Sequence, residues 1–114
     1  MNVIHTFHAH IYYDESTYEQ ASALCNKAGK MFDIAVGRKH KQALGPHLKW
    51  SCQLAFVPEV FGELVPWLAL HRDGLTVFIH PETGNDLKDH TEYAMWMGKV
   101  EPLNLTIFKS EIEY

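Results

Sequence analysis

The segments of this sequence run in the order β-α-β-β-α-β, which predicts an α+β fold: a ferredoxin-like, split-βαβ antiparallel sheet with a short C-terminal helix and strand as an extension. Three observations carry the prediction. Phe7-His8-Ala9-His10-Ile11-Tyr12-Tyr13 is rich in aromatic and β-branched residues and free of Gly and Pro, as a strand requires. Two longer segments, Ser16 to Met31 and Pro58 to His71, repeat apolar residues at three- and four-residue spacings, the period of an amphipathic helix. The other apolar runs are short and bounded by Gly, Pro or Asp, which marks them as strands. At 114 residues the chain has the length of one domain, residues 1–114, around a single core.

The first strand is expected from Val3 to Tyr13. Asp14 or Ser16 can cap the helix that follows, and Glu19 stands three residues after Ser16, the spacing of a capping box. Tyr18, Ala21, Leu24, Cys25 and Ala28 form its apolar stripe, and Gly29 sits where a C-terminal cap is expected. Phe32 to Val36 predicts a short second strand, and the basic Arg38-Lys39-His40-Lys41 a solvated loop or hairpin tip. Trp50 to Val57 alternates and predicts a third strand. Pro58 opens the second helix, in which Pro66 predicts a kink or a restart near Val65. Leu75 to His80 predicts a fourth strand ended by Pro81, Asp89 to Met97 a third helix, and Leu103 to Phe108 a last edge strand. The acidic end, Glu111-Ile112-Glu113-Tyr114, is expected to fray. In this arrangement the first strand is central beside the third, and the fourth lies at an edge beside the second.

Composition excludes several classes of function. With 46% hydrophobic and 21% charged residues, disorder is excluded. A net charge of −4 gives no nucleic-acid footprint. Cys25 and Cys52 match no zinc spacing and read as buried small hydrophobes. The N-terminus lacks a signal peptide's basic and apolar regions, and no apolar run approaches the ~18 residues of a membrane span, so a soluble cytoplasmic protein is expected. HExxH, CxxC, Walker and GxGxxG motifs are absent, and Asp73 with Ser51 or Ser110 makes no hydrolase triad.

The anomaly is the histidine content, eight in all. Strand alternation puts Phe7, Ala9, Ile11 and Tyr13 on one face and Thr6, His8, His10 and Tyr12 on the other. Two imidazoles side by side suit a metal or a proton-transfer site. His47 follows Gly45-Pro46, His80 precedes Pro81, and His90 follows Asp89, each at a turn that can deliver a side chain to such a site. Glu82, Asp86, Asp89 and Glu92 are the nearby carboxylates, and Asp86, Asp89 or Glu92 is the expected carboxylate ligand if there is one. His5 reads as helix-facing, His40 as a loop residue, and His71 as a helix-end cation favoured by the dipole. Histidines with carboxylates suit Fe, Zn, Cu or Ni, and two histidines with one carboxylate suit non-haem Fe(II). Tyr12 and one face of Trp50 to Phe56, left on the open sheet face, predict a homodimer.

Phe7 to Tyr13, Gly45-Pro46-His47, His80-Pro81-Glu82-Thr83-Gly84-Asn85-Asp86, Asp89-His90 and Ala94-Met95-Trp96-Met97-Gly98, in this order and spacing, resemble the DOPA 4,5-dioxygenase family. The family commonly continues Gly-Pro-His with a second proline, where this chain has Leu48. The resemblance implies a ferredoxin-like, dimeric protein. It also implies an extradiol dioxygenase that opens the ring of a catechol such as L-DOPA with O2, using Fe(II), with Zn or another divalent ion able to take its place. His8, His10, His47, His80 and His90 would form the site. His8 and His10 would lie nearest the metal, His80 and His90 would be further ligands or acid/base groups, and His47 would orient substrate. The other reading is a non-enzymatic dimeric module that holds a metal or a small aromatic acid.

Overall fold

The computed structural model describes residues 3–111, with side chains through 108. Five strands form one antiparallel sheet in the order β2-β3-β1-β4-β5. They are β1 (Phe7–Tyr13), β2 (Ala35–Lys39), β3 (Trp50–Phe56), β4 (Val77–Pro81) and β5 (Met95–Met97). Helices α1 (Tyr18–Met31) and α2 (Pro58–His71) cover one face, and a single turn, α3 (Asp86–Asp89), lies between β4 and β5. The α+β, ferredoxin-like prediction holds, with a fifth strand added to the β4 edge. None of the described helices is long and apolar enough to cross a membrane.

The core lies between the helices and the apolar face of β1, as alternation requires. Ala9, Ile11 and Tyr13 meet Leu54 and Cys52 of β3, Val77 and Ile79 of β4, Ala21, Leu24, Cys25 and Ala28 of α1, and Leu64 and Leu68 of α2. Both cysteines are free and buried there. Fully burying each of the Ile, Leu and Val side chains among them contributes about 1.5–3 kcal/mol, which fixes the register of β1 and therefore the opposite face as well.

Several elements differ from the sequence expectation. The fourth strand pairs with β1 rather than β2, so β1 is flanked by β3 and β4, and His8 stands directly across from His80. The fourth strand starts at Val77 rather than Leu75 and includes Pro81, which pairs with Phe7. The second strand starts later than Phe32. That residue caps α1, its N–H donating to the Ala28 carbonyl at 3.0 Å, and Arg38 and Lys39 belong to the strand. Lys39 is accommodated because its ammonium donates to Asn26 Oδ1 at 2.7 Å.

Asp14, not Ser16, makes the capping box, with Thr17 as its partner across a short 3-10 turn. Helix α1 runs through Gly29, whose missing Cβ would lie 2.7 Å from Val36 Cγ2. Gly29 is thus a close-approach residue and not a cap. Helix α2 is one helix with Pro66 inside it and no restart.

The third helix expected over Asp89 to Met97 is replaced by the turn α3 and by β5, because Trp96 stacks on Phe78 while Met97 packs into the core on the other side. The edge strand expected from Leu103 to Phe108 is a 3-10 segment from Leu105, and Leu103 makes only an isolated bridge to His47. His5 precedes β1 and is exposed rather than helix-facing. The fraying expected after Glu111 falls outside the described residues, which end at 111.

The open face is also not the apolar surface expected. Trp50, Cys52, Leu54 and Phe56 turn to the helices; Ser51, Gln53 and Ala55 turn the other way, beside Tyr12, His10 and His8. Tyr12 is 3% exposed, with Trp96, Phe78 and His47 packed on it. Tyr12 is therefore covered by residues of its own chain.

Candidate metal centre

Three strands and two turns assemble the open face. The β1–β4 register sets His8 across from His80 and His10 across from Phe78. The loop before β3 carries His47 over His10, with ring centroids 4.1 Å apart. This loop is held by paired Leu44–His47 backbone hydrogen bonds and by Asn104 N–H donating to the Pro46 carbonyl at 2.8 Å. His90 caps α3 and lies 4.2 Å from the His80 ring, backed by Phe108 at 4.7 Å. All five predicted histidines therefore meet on one sheet face. Phe78, fully buried, lies within about 6 Å of four of the rings and stacks on Trp96 at 4.4 Å.

Hydrogen bonds at the outer nitrogens orient these rings. His8 Nδ1 donates to Glu82 Oε1 at 3.0 Å, His80 Nδ1 to the Pro81 carbonyl at 2.9 Å, and His90 Nδ1 to the Asp86 carbonyl at 2.7 Å. Carbonyl and carboxylate oxygens only accept, so these bonds put the proton on Nδ1 and leave Nε2 as a lone-pair donor in all three. His47 Nδ1 shares a hydrogen bond of 2.7 Å with the Tyr12 hydroxyl. His10 Nε2 and His80 Nε2 stand 3.2 Å apart.

Burial removes the positive charge that would scatter such a cluster. Desolvation, reinforced by neighbouring imidazoles, holds His10 well below the usual 6.5 and His47 at about 4. Desolvation takes His80 to about 3 against the pull of its bond to Pro81. His8 is lowered by burial and by His90, while Glu82 is raised by burial and by Asp86 and Asp89. Burial thus favours the uncharged His8 ring, so its contact with the Glu82 carboxylate is an orienting hydrogen bond more than an ion pair.

Neutral, lone-pair-bearing imidazoles are what a divalent transition metal requires. One ligand atom from each of His8, His10 and His80 lies within 4.8 Å of the others. Two nitrogens bound to one ion at about 2.0–2.1 Å span a distance close to the 3.2 Å between His10 and His80. The three-histidine group could bind a metal.

The carboxylates expected as ligands lie elsewhere. Asp89, fully buried, accepts from Thr83 N–H at 2.9 Å and Thr83 Oγ1 at 2.6 Å, which shapes the turn that delivers His90. Its oxygens group with those of Glu82 and Asp86 rather than with the imidazoles, and Glu92 is exposed.

Beside His10 and His47 opens a cavity of about 210 Å³, lined also by His40, Leu44, Gly45, Pro46, Ser51 and Gln53. A larger one of about 470 Å³, lined by Ile4, Phe7, Pro81, Thr83, Tyr93 and Met95, has no histidine in its wall. Sequence reasoning missed Phe78 and Gln53, though both follow from period-two alternation once β1, β3 and β4 are aligned. It placed His40 in a solvated loop, where no sequence signal pointed to the cavity.

Against known proteins, the sequence model described as the Dopa 4,5-dioxygenase family matches residues 7–107. The chain belongs to the Dopa 4,5-dioxygenase family. It is 32% identical to an uncharacterized 21.2 kDa protein of Botryotinia fuckeliana and 26% identical to the DOPA 4,5-dioxygenase of Amanita muscaria, each match covering 90% of this chain. It spans 63% and 49%, respectively, of those two proteins. The fold is that of a candidate dioxygenase from Nostoc punctiforme, with a TM-score of 0.91, 38% identity, and coverage of 94% of this chain and 93% of that one.

Proposed function

We propose that this family member is an extradiol ring-cleaving dioxygenase that opens a catechol such as L-DOPA with O2, using a non-haem Fe(II) held by His8, His10 and His80. The observation that carries the reading is the convergence of those three donors, with the His8 and His80 rings fixed from outside by Glu82 and the Pro81 carbonyl. The iron would supply a shared centre and Lewis acidity for a catecholate and O2.

The chain's own residues do the rest. His47, held near 4, is neutral at pH 7 and can take a proton from a catechol hydroxyl that enters beside His10; the Tyr12 hydroxyl fixes its ring. His90, stacked on His80, is the second acid/base candidate. Phe78 and Trp96 form an apolar floor under the imidazoles and keep bulk water from that side.

The test is anaerobic reconstitution with Fe(II), addition of L-DOPA or a simpler catechol, and admission of air. Oxygen uptake with a yellow ring-opened product is the expected result. Metal or catechol binding without oxygen uptake, across several catechols, would overturn ring cleavage in favour of a module that only binds a metal or a small aromatic acid.

A further inference from the structure

The cavity of about 210 Å³ beside His10 and His47 carries polar groups that the fold does not use. Ser51 is 4% exposed, and its hydroxyl makes no hydrogen bond among the described residues. No fully enclosed side-chain nitrogen or oxygen there lacks a partner, so Ser51 Oγ opens on the cavity. Gln53 and His40 line the same cavity, and their side chains have no hydrogen-bond partner among the described residues.

None of the three is loosely held. Ser51 and Gln53 are in β3, opposite Tyr12 and His10. His40 is pinned at both ends of its peptide unit: its N–H donates to the Ser51 carbonyl at 3.0 Å, and its carbonyl accepts from the Tyr13 hydroxyl at 2.9 Å. The Tyr13 hydroxyl lies 3.0 Å from the Ser51 carbonyl as well, so its one proton is shared between the two carbonyls and links His40 to Ser51.

We propose that Ser51, Gln53 and His40 form a subsite for the carboxylate tail of a single-ring catecholic acid whose ring lies against His10 and His47. The inference rests on the catechol reading and adds the residues that would hold the acid group. A hydroxyl, a primary amide and an imidazole can all donate, and a carboxylate offers about four acceptor positions to receive them. Such bonds to an ionised acceptor are shorter and stronger than those to a neutral one. The wall contains no Asp or Glu that would favour an ammonium group. The volume falls below the roughly 300–1,000 Å³ of sites for larger ligands, which selects one ring with a short tail.

The test uses the full chain loaded with Zn(II), which has no redox chemistry, and calorimetric titration with 3,4-dihydroxyphenylacetate and with 4-methylcatechol. The acid should bind about 10-fold or more tightly than the neutral catechol. Gln53→Leu and Ser51→Ala should each erode that preference while 4-methylcatechol binding persists, which also shows that the variants fold. Equal affinity for the two ligands, or a preference that survives both substitutions, overturns this subsite and leaves ring cleavage standing. A preference that depends on Gln53 and Ser51 in a protein that consumes no oxygen with Fe(II) sustains the subsite and overturns ring cleavage. Failure of both ligands to bind overturns the subsite and the catechol reading together.

Discussion

His10 and His80, seventy positions apart in the chain and on adjacent strands, face each other Nε2 to Nε2 at 3.2 Å. The His80 proton is on Nδ1, bonded to the Pro81 carbonyl, so its Nε2 is a free lone pair aimed at its partner. Without a metal the contact is a single hydrogen bond from His10; a bound metal would take both nitrogens as ligands. His10→Ala and His80→Ala should therefore each abolish stoichiometric Fe(II) or Zn(II) binding in full-length protein, read by metal analysis after desalting. The exposed His5→Ala serves as the control and should keep the wild-type metal content. Unchanged metal in both site variants would mean that the ion binds elsewhere.

Glu82 should matter through His8 alone. Its carboxylate holds His8 Nδ1 at 3.0 Å and groups with Asp86 and Asp89 rather than with His10 and His80. Loss of a group that orients a metal-bound histidine commonly costs roughly 10–100-fold in metal affinity or activity. Glu82→Gln should fall in that range, well short of His10→Ala, and competition with a metal chelator can measure both. Equal losses in the two variants would make Glu82 a ligand in its own right.

The metal-free protein should lose stability as pH falls below about 6.5. An unfolded histidine takes up a proton near 6.5, whereas folded His47 resists protonation to about 4 and folded His80 to about 3. Across that window the unfolded chain binds more protons, so stability is fully present above the unfolded value and drains away as pH falls toward the folded ones. Each pH unit is worth about 1.4 kcal/mol per such group, so pH 5 should cost roughly 2 kcal/mol for each of His47 and His80. Urea unfolding at pH 7 and pH 5 measures it. A flat profile would show that these rings are protonated without penalty in the folded state.

Phe78→Ala should damage the site and the fold together. The ring is fully buried and touches four imidazoles as well as Trp96 and Tyr12. Truncating a buried Phe typically costs about 3–5 kcal/mol. Phe78→Leu, which keeps most of the volume, should cost less and retain metal. A loss below about 1 kcal/mol in Phe78→Ala would mean that the floor beneath the histidines collapses without strain.

What was legible in the sequence follows from which signals are local. Period-two alternation in residues 7–13 put His8 and His10 on one face, and turn residues marked the points where His47, His80 and His90 leave their loops. The partner of the fourth strand was not legible, because strand pairing is decided by the whole core; that single error hid the His8–His80 ladder pair. Met95 to Met97 read as helix because a three-residue strand offers no period, and only stacking on Phe78 shows what it is. His40 was hidden because its basic neighbours describe a solvated surface, whereas a bulge between Val36 and Lys39 and the Tyr13 hydroxyl fix where it sits.

Gly29 gives a test of the packing that holds the sheet edge in place. An alanine there gains about 1 kcal/mol of helix propensity over glycine. Its Cβ would, however, lie 2.7 Å from Val36 Cγ2, on a β-branched side chain that cannot turn aside cheaply. Overpacking of this kind costs about 1–3 kcal/mol, so Gly29→Ala should be neutral to destabilising by about 2 kcal/mol. Val36→Ala removes the obstructing methyl, and in that background Gly29→Ala should become stabilising by up to about 1 kcal/mol. The two substitutions touch, so a double-mutant cycle by urea unfolding should show coupling of at least about 1 kcal/mol. Additive effects would show that α1 and β2 separate freely, and that β2 holds His40 over the cavity without support from the helix.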